Sequence, residues 1–288
     1  MRILVTGSSG FIAQHLIPVL QKLQAELILC DTKSGVDLAD WQQVEAIGKV
    51  DVIIHLANLS FVPASFENPK LFYHINYMTT LHVLELARLR QARVIYFSSY
   101  MYGAPEYQPI DENHPLKAYN PYAQTKLICE SLCEGYNRDF KVPVTIFRPF
   151  NIYGTGQHPD FLIPTLLSQA KTGKIVVKDD RPKRDYIHVT DIVKAVSLVI
   201  AKDNFKGLNI YNLGTGKSYS VKALVDIVCG FFDNKPTYTC LNEVRPNEVM
   251  DTMADISKIK NELGWEPQLS LEDRKSVVEG KSVDLGGG

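Results

Sequence analysis

The sequence predicts an α/β fold, in which a doubly wound parallel sheet is interleaved with a smaller C-terminal domain. Five short apolar runs are typical of strands, and the stretches between them have helical periodicity. The strands lie at 2–6, 26–30, 51–56, 93–98 and 144–148, and the helices lie near 10–23, 70–90 and 121–138. Runs that are apolar throughout need cover on both faces. Their alternation with helices therefore indicates a parallel sheet between two helical layers.

Two regions depart from this regular alternation. The segment 32–50 is short, so a third strand near 35–38 is either abbreviated or missing. After residue 152 glycine, proline and charge increase, and a strand-like run returns at 208–214. We expect a first domain over 1–152, to which 185–214 returns, and a second domain over 153–272. The run 273–288 has no helical period and resembles translated sequencing-adapter sequence, so we expect it to lack stable packing.

Composition narrows the class of protein. The 288 residues carry a formal net charge of −1, which indicates neither a nucleic-acid surface nor a polybasic membrane segment. No apolar run approaches the ~20 residues that span a bilayer, and a first strand at residue 2 predicts no signal peptide. The five cysteines are scattered and odd in number, which predicts neither a disulfide framework nor a metal site. We expect a cytoplasmic protein of enzyme size.

The stretch TGSSGFIA at 6–13 joins the first strand to the first helix. Gly7 and Gly10 allow a ligand to approach the backbone, and the free N–H groups of the helix N-terminus favour a pyrophosphate. Asp31 ends the second strand, roughly 20 residues further on. A carboxylate there accepts hydrogen bonds from ribose hydroxyls and repels a 2′-phosphate. These residues predict dinucleotide binding and favour NAD over NADP.

Tyr122 and Lys126 are four residues apart on a predicted helix, so their side chains share one face. The spacing alone arises by chance about once in a chain of this composition. The pair indicates a catalytic site only because it lies on the helix that follows the fourth strand. A tyrosine of pKa near 10 needs about 4 kcal/mol of stabilisation to act as a base at pH 7, and a nearby ammonium contributes to that. Ser98 or Ser99, at the end of the preceding strand, would hold the substrate oxygen whose proton moves.

Residues 1–272 resemble the extended short-chain dehydrogenase/reductases and, within them, the NAD-dependent epimerase/dehydratase family. The resemblance rests on motifs in the family's order: TGSSGFIA, HLAN at 55–58, FSSYMYG, PYAQTK, RPFNIYG, RDYIHVTD, NLGTG and LGWEP. It implies a Rossmann domain that binds NAD and a second domain that binds a nucleotide-diphosphate sugar. It also implies a homodimer that pairs through the helices near 70–90 and 121–138.

The resemblance also implies roles for individual residues. Around the cofactor, besides Asp31, Tyr122 and Lys126, it places Gly7, Gly10, Phe11, Ile12, Asp37, Leu38, Leu56 and Ala57. It makes Ser98 the catalytic hydroxyl beside Tyr122 and Lys126. It assigns substrate contacts to Ser99, Asn151, Arg184, Arg245 and Glu248, the last of which replaces the family's usual aspartate. Asn58 also departs from the family, which commonly has a small alanine there.

The reaction that the resemblance favours is epimerisation at C4 through a transient 4-keto sugar, with Tyr122 as acid and base. Dehydratases of this family carry an Asp–Glu pair where this chain has Ser99 and Tyr100, and decarboxylases usually carry glutamate at the second position. Both activities are therefore disfavoured. An NAD(P)H-dependent 4-keto-6-deoxy-sugar reductase remains an alternative, because bulky Tyr100 and the short 32–50 segment depart from the epimerase pattern. A non-catalytic dinucleotide sensor is disfavoured, since the Tyr–Lys pair is retained.

Overall fold

The structure, a computed structural model, describes residues 1–202, 206–245 and 248–272. The strands, in chain order, are β1 (Arg2–Thr6), β2 (Glu26–Cys30), β3 (Val52–His55), β4 (Arg93–Phe97), β5 (Val144–Pro149), β6 (Asn151–Tyr153), β7 (Lys174–Val177), β8 (Lys183–His188), β9 (Leu208–Leu213), β10 (Ser218–Ser220), β11 (Thr237–Cys240) and β12 (Asp251–Thr252). The helices are α1 (Phe11–Lys22), α2 (Trp41–Glu45), α3 (Val62–Glu67), α4 (Pro69–Arg90), α5 (Pro121–Phe140), α6 (Leu162–Lys171), α7 (Val189–Ala201), α8 (Val221–Cys229) and α9 (Ser257–Leu263).

The large sheet is parallel and has the strand order β2-β1-β3-β4-β5-β9. Apolar residues of α1 and α7, such as Leu16 and Val196, are fully buried against one face of it. Residues of α4 and α5, such as Leu84 and Cys133, are fully buried against the other face. The predicted α/β class and the doubly wound sheet are therefore confirmed. Within the described residues, no helix is both long enough and apolar enough to cross a membrane.

The third strand that the sequence left open is missing. After β2 the chain forms a 3₁₀ turn at Thr32–Ser34, in which the Asp31 carboxylate accepts from the backbone N–H of Ser34 at 2.8 Å. Gly35 then takes a left-handed conformation with φ of 84°. A capped polar turn followed by a left-handed residue cannot extend into a strand. As a result β2 is the edge strand of the sheet.

A smaller sheet lies at the carboxyl edge of the large one. It has the order β10-β8-β12, with β6 also pairing with β8, and β7 pairs separately with β11. The chain returns to the large sheet through α7 and β9. The indole of Trp265, after α9, is fully buried and donates to the Asp191 carbonyl of α7 at 3.0 Å. Since β6 begins two residues after β5 ends, a cleft forms where the two sheets meet. The predicted tail at 273–288 lies outside the described residues.

Candidate active site

A cavity of about 450 Å³ occupies this cleft, at the carboxyl ends of β1, β3, β4 and β5. This is the position at which open parallel sheets bind their ligands. The cavity brings together residues that the sequence analysis singled out from five separate motifs. They are Gly7, Gly10, Phe11, Ile12, Leu56, Ser98, Ser99, Tyr122, Lys126 and Asn151.

The glycine turn has the geometry of a cofactor cradle. Gly7 has a φ of +65°, and a Cβ at this position would lie 2.8 Å from the backbone nitrogen of Ala57. No other residue type fits there without displacing the backbone. Gly10 is the N-cap of α1 and its N–H donates to the Gly7 carbonyl at 2.9 Å, so Phe11 and Ile12 start the helix beside the cavity. The turn stays open only because it carries no side chain at this position, and such an open turn at a helix N-terminus fits a dinucleotide pyrophosphate.

Asp31 lies directly behind this turn. One of its carboxylate oxygens accepts from the Ser8 hydroxyl at 3.0 Å and from the Ser9 backbone N–H at 2.7 Å. Hydrogen bonds from Ser9, followed by those from Ser34 and Ser8, lower the pKa of Asp31 to about 2. The side chain is thus a permanent anion that touches the glycine turn.

Asp37 and Leu38, which the resemblance places beside the adenine of the cofactor, differ in exposure. Asp37 is exposed, and its carboxylate accepts from the Ala39 N–H at 2.9 Å. Leu38 is 4% exposed and its side chain packs in the core, while its carbonyl accepts a hydrogen bond from the His82 ring at 2.8 Å. Ala57 packs behind Gly7 and is not one of the described residues that line the cavity. Any contact of Leu38 with an adenine must therefore come from its backbone.

Tyr122 and Lys126 lie on the first turns of α5. Pro121 opens this helix, and the Asn120 side chain accepts from the Ala123 N–H at 2.8 Å, so the helix starts at a fixed place. The Lys126 ammonium donates to the Phe97 carbonyl at 2.7 Å and lies 5.8 Å from the centre of the Tyr122 ring. Burial raises the pKa of Tyr122 to about 12 and lowers that of Lys126 to about 8.

The two serines after β4 both line the cavity but interact with different residues. The Ser98 hydroxyl is buried and donates to the Met101 sulfur at 3.9 Å, and Met101 is itself fully buried. The Ser99 hydroxyl opposes the effect of burial on the pKa of Tyr122, because a hydroxyl donor near the phenol lowers this pKa. The sequence assigned the catalytic hydroxyl to Ser98, and this assignment stays a prediction. Both serines line the cavity, and Ser99 is the one whose hydroxyl lowers the pKa of Tyr122.

Tyr100 forms part of an aromatic wall that the sequence analysis missed. Its ring stacks on Phe150 at 4.8 Å with an interplanar angle of 10°, and its hydroxyl donates to the Asn151 side chain at 3.2 Å. The cavity is also lined by Tyr119, Phe161 and Tyr186. Tyr186 belongs to the RDYIHVTD motif and Tyr119 precedes PYAQTK, so the motifs contained a signal. Their aromatic character alone did not separate them from core residues.

Three predicted substrate contacts lie outside the cavity lining among the described residues: Arg184, Arg245 and Glu248. Arg184 forms an ion pair with Glu248 and donates to the Val249 carbonyl at 2.6 Å. Arg245 is exposed. The structure thus joins Arg184 to Glu248, and the Glu248 N–H donates to the Arg245 carbonyl at 3.3 Å, so Arg245 meets this pair through its backbone. Within the part of the chain that is described, no group of three or more His, Cys, Asp or Glu side chains is arranged to hold a metal ion.

Similarity to known proteins identifies the family to which this site belongs. The model of the NAD dependent epimerase/dehydratase family matches residues 3–214. A UDP-glucose 4-epimerase of Bacillus subtilis is 32% identical, over 95% of this chain and 94% of the relative. A GDP-6-deoxy-D-talose 4-dehydrogenase of Aggregatibacter actinomycetemcomitans is 33% identical, over 92% of each chain.

Solved structures agree with the sequence relatives. A UDP-glucose 4-epimerase of Bifidobacterium longum, in complex with NAD⁺ and UDP, superposes with a TM-score of 0.86. It is 27% identical, over 96% of this chain and 97% of that chain. A family model that covers most of the chain, and relatives that align along nearly its whole length, confirm the resemblance carried by the motifs. The chain therefore belongs to the NAD-dependent epimerase/dehydratase family.

Proposed function

We propose that the protein is a nucleotide-sugar 4-epimerase that keeps NAD bound and acts through a transient 4-keto sugar. The observation that carries the proposal is the shared cavity, in which the glycine cradle and the Tyr122–Lys126 pair face the same space. The 32% identity to a UDP-glucose 4-epimerase over nearly the whole chain supports it. The Tyr–Lys pair and the complete glycine turn also favour an enzyme over a sensor.

The chain's own residues fit the cofactor. Gly7, Gly10, Phe11 and Ile12 would hold the pyrophosphate at the start of α1. Asp31, an anion touching the same turn, would accept from the ribose hydroxyls and repel a 2′-phosphate, which favours NAD. When bound, NAD would supply the group that accepts a hydride from C4 of the sugar and that can return it to either face of this carbon.

Tyr122 would remove the proton from the sugar 4-hydroxyl and later give it back. Its pKa of about 12 is too high for a base at pH 7, so the phenolate needs stabilisation. The Ser99 hydroxyl lowers the pKa of Tyr122, and the Lys126 ammonium and the positive charge of the oxidised cofactor would stabilise the phenolate further. Tyr122 would therefore act as a base chiefly when the oxidised cofactor is bound.

The substrate would span the cavity from Tyr122 to the small sheet. We assign Asn151 and Arg184 to the diphosphate because guanidinium groups bind phosphate oxygens in bidentate fashion. Arg184 is paired with Glu248, so a diphosphate at Arg184 would replace this carboxylate as its partner. Glu248 would then be released towards the nucleotide ribose, and Arg245 would have to approach from its exposed position.

The direct experiment follows UDP-glucose and UDP-galactose with purified protein and no added cofactor. The proposal expects interconversion of the two sugars, NAD released on denaturation, and loss of turnover in Tyr122→Phe. Interconversion that requires stoichiometric NAD(P)H, or that survives in Tyr122→Phe, would contradict it. If UDP-glucose and UDP-galactose are not interconverted, the same assay is repeated with dTDP- and GDP-sugars. Inactivity with all three nucleotides would refute the proposal.

A 4-keto-6-deoxy-sugar reductase is the second candidate function. The 33% identity to a GDP-6-deoxy-D-talose 4-dehydrogenase favours it, and so does bulky Tyr100 beside the reacting residues. This activity would use the same Tyr122 with the proton flow reversed. Oxidation of added NADPH by a nucleotide-4-keto-6-deoxy sugar, without epimerase activity, would establish the reductase in place of the epimerase.

We also propose a cytoplasmic homodimer that pairs through α4 and α5. These two helices pack against each other on one face of the sheet, and the side chains of Leu71, Tyr73 and Tyr77 on α4 and Phe140 on α5 stay exposed. Exposed aromatic and aliphatic groups on adjacent helices favour association. All five cysteines are free thiols, as expected in a reducing compartment. Light scattering at micromolar concentration tests the dimer, and a monomer mass would refute it.

A further inference from the structure

His55 is a buried titratable side chain that the proposed chemistry does not use. It ends β3, is 0% exposed, and stacks on the Tyr96 ring with the centroids 5.9 Å apart. Burial, followed by the charge of Lys126, lowers its pKa to about 3. The ring is therefore neutral at pH 7, with a proton on one nitrogen and a lone pair on the other. Which nitrogen carries the proton determines what His55 can bind.

The neighbouring threonine on α4 determines this tautomer. The Thr80 hydroxyl donates its single proton to the Asn76 carbonyl at 2.8 Å. It can only accept from His55 Nε2, which lies 3.2 Å away, so Nε2 must carry the proton. The Asn58 amide nitrogen, 3.4 Å from Nε2, is then not its partner, and this amide donates to the Ala57 carbonyl at 2.6 Å instead.

The bare Nδ1 of His55 then accepts from the Thr6 hydroxyl, at 2.8 Å. With its proton directed at the ring, the Thr6 oxygen can accept elsewhere. It accepts from the backbone N–H groups of Leu56 at 3.1 Å and Ala57 at 3.2 Å. Thr6 directly precedes Gly7, the residue whose added Cβ would lie 2.8 Å from the Ala57 nitrogen. Thr6 therefore ties the glycine turn to the loop after β3.

We propose that His55, as the Nε2–H tautomer, is a positioning residue that orients the Thr6 hydroxyl and so fixes the spacing between the two loops of the cofactor groove. The inference rests on the NAD site proposed above, since these loops would hold the pyrophosphate. These hydrogen bonds of Thr6, His55 and Thr80 go to the two loops and to α4, and none of them joins the Tyr122 side chain. We therefore expect the network to govern the affinity for NAD and to have little effect on the turnover of the NAD-loaded enzyme.

The tautomer can be measured on the wild-type protein. Nitrogen-15 NMR of histidine-labelled protein distinguishes protonated from bare ring nitrogens, and loss of one signal set in His55→Phe assigns this residue among the seven histidines. The expected result at pH 7 is a protonated Nε2 and a bare Nδ1. A protonated Nδ1, or an imidazolium, would overturn the proposal whether or not the protein binds NAD.

The effect on the groove is measured by NAD titration of Thr6→Val, Thr6→Ser, His55→Phe and the Thr6→Val/His55→Phe double variant. Thr6→Val keeps the shape and removes the hydroxyl, so we expect the Kd for NAD to rise about tenfold. Thr6→Ser restores the hydroxyl and should bind like wild type. His55→Phe should weaken binding similarly, and the double variant should add little, because the two groups act through one network.

These outcomes separate the inference from the function it rests on. Unchanged NAD affinity in folded Thr6→Val, no rescue by Thr6→Ser, or fully additive losses would overturn the positioning role while leaving NAD binding in place. Wild-type protein that binds no NAD would refute the proposed cofactor instead, and the tautomer measurement would still decide the state of His55.

Discussion

Replacing Lys126 by methionine should stabilise the fold near neutral pH while it removes activity. Lys126 is 3% exposed, and burial lowers the pKa of its ammonium from the ordinary value of 10.5 to about 8. A difference of this size corresponds to about 3 kcal/mol of unfavourable burial of the charged form. Methionine avoids this cost but leaves the Phe97 carbonyl without its donor, which costs about 1–2 kcal/mol. The variant should therefore be about 1–2 kcal/mol more stable than wild type at pH 7.

The pH dependence of the free energy of unfolding isolates the contribution of the Lys126 charge. Below pH 8 both folded and unfolded Lys126 are protonated, and wild type bears the full cost. Between pH 8 and 10.5 the unfolded chain binds more protons than the folded chain, so wild-type stability rises relative to the variant. Urea unfolding at pH 7 and pH 10.5 should show the difference changing by about 3 kcal/mol and reversing sign. A difference that stays constant with pH would refute a charged, buried Lys126.

The same variant should also lose catalysis. With the charge 5.8 Å from the centre of the Tyr122 ring, an effective dielectric constant of ~20 gives about 3 kcal/mol of attraction to a phenolate. This predicts a fall in kcat of about 100-fold at pH 7. Wild-type activity in a folded Lys126→Met protein with bound NAD would contradict the assigned role.

Three further substitutions test separate parts of the site and the core. Ser99→Ala should lower kcat about 10- to 100-fold by removing a hydroxyl that stabilises the buried phenolate, while the matched Ser98→Ala should stay within about threefold. The reverse order would support the assignment made from sequence. Gly7→Ala should raise the Kd for NAD more than tenfold, because the added carbon meets backbone at 2.8 Å, and equal affinity by titration would refute the cradle. Glu130→Ala leaves the buried guanidinium of Arg148 without its counter-charge and should cost about 3–5 kcal/mol in urea unfolding. Glu106→Ala, from the exposed ion pair with Lys117, should leave the free energy of unfolding close to that of wild type, and equal losses in the two variants would contradict this.

Local pattern was sufficient for the elements that build the cofactor half of the molecule. The apolar runs at 2–6 and 51–56 became β1 and β3 with the expected parallel pairing. Gly7 could be assigned to a tight turn because a left-handed residue between a strand and a helix leaves few alternatives. Tyr122 and Lys126 could be placed on one helix face because their spacing matches a single turn.

The remaining features depend on contacts that spacing does not encode. Ser98 and Ser99 are adjacent and chemically identical, so only the path of the chain after β4 determines which hydroxyl lowers the pKa of Tyr122. The pairing of Arg184 with Glu248 joins residues 64 positions apart. The hydrogen bonds of His55 with Thr6 and Thr80 join three different elements, and no single motif contains all three residues.

The most direct test of the central claim measures the fate of the hydride. Purified protein carrying its bound NAD is incubated with UDP-glucose deuterated at C4, without added cofactor, and the products are analysed by NMR. A nucleotide-sugar 4-epimerase predicts UDP-galactose with the deuterium retained at C4 and no net change in NADH absorbance. Net oxidation or reduction of the cofactor, with no C4 epimer formed from UDP-, dTDP- or GDP-sugars, would contradict it.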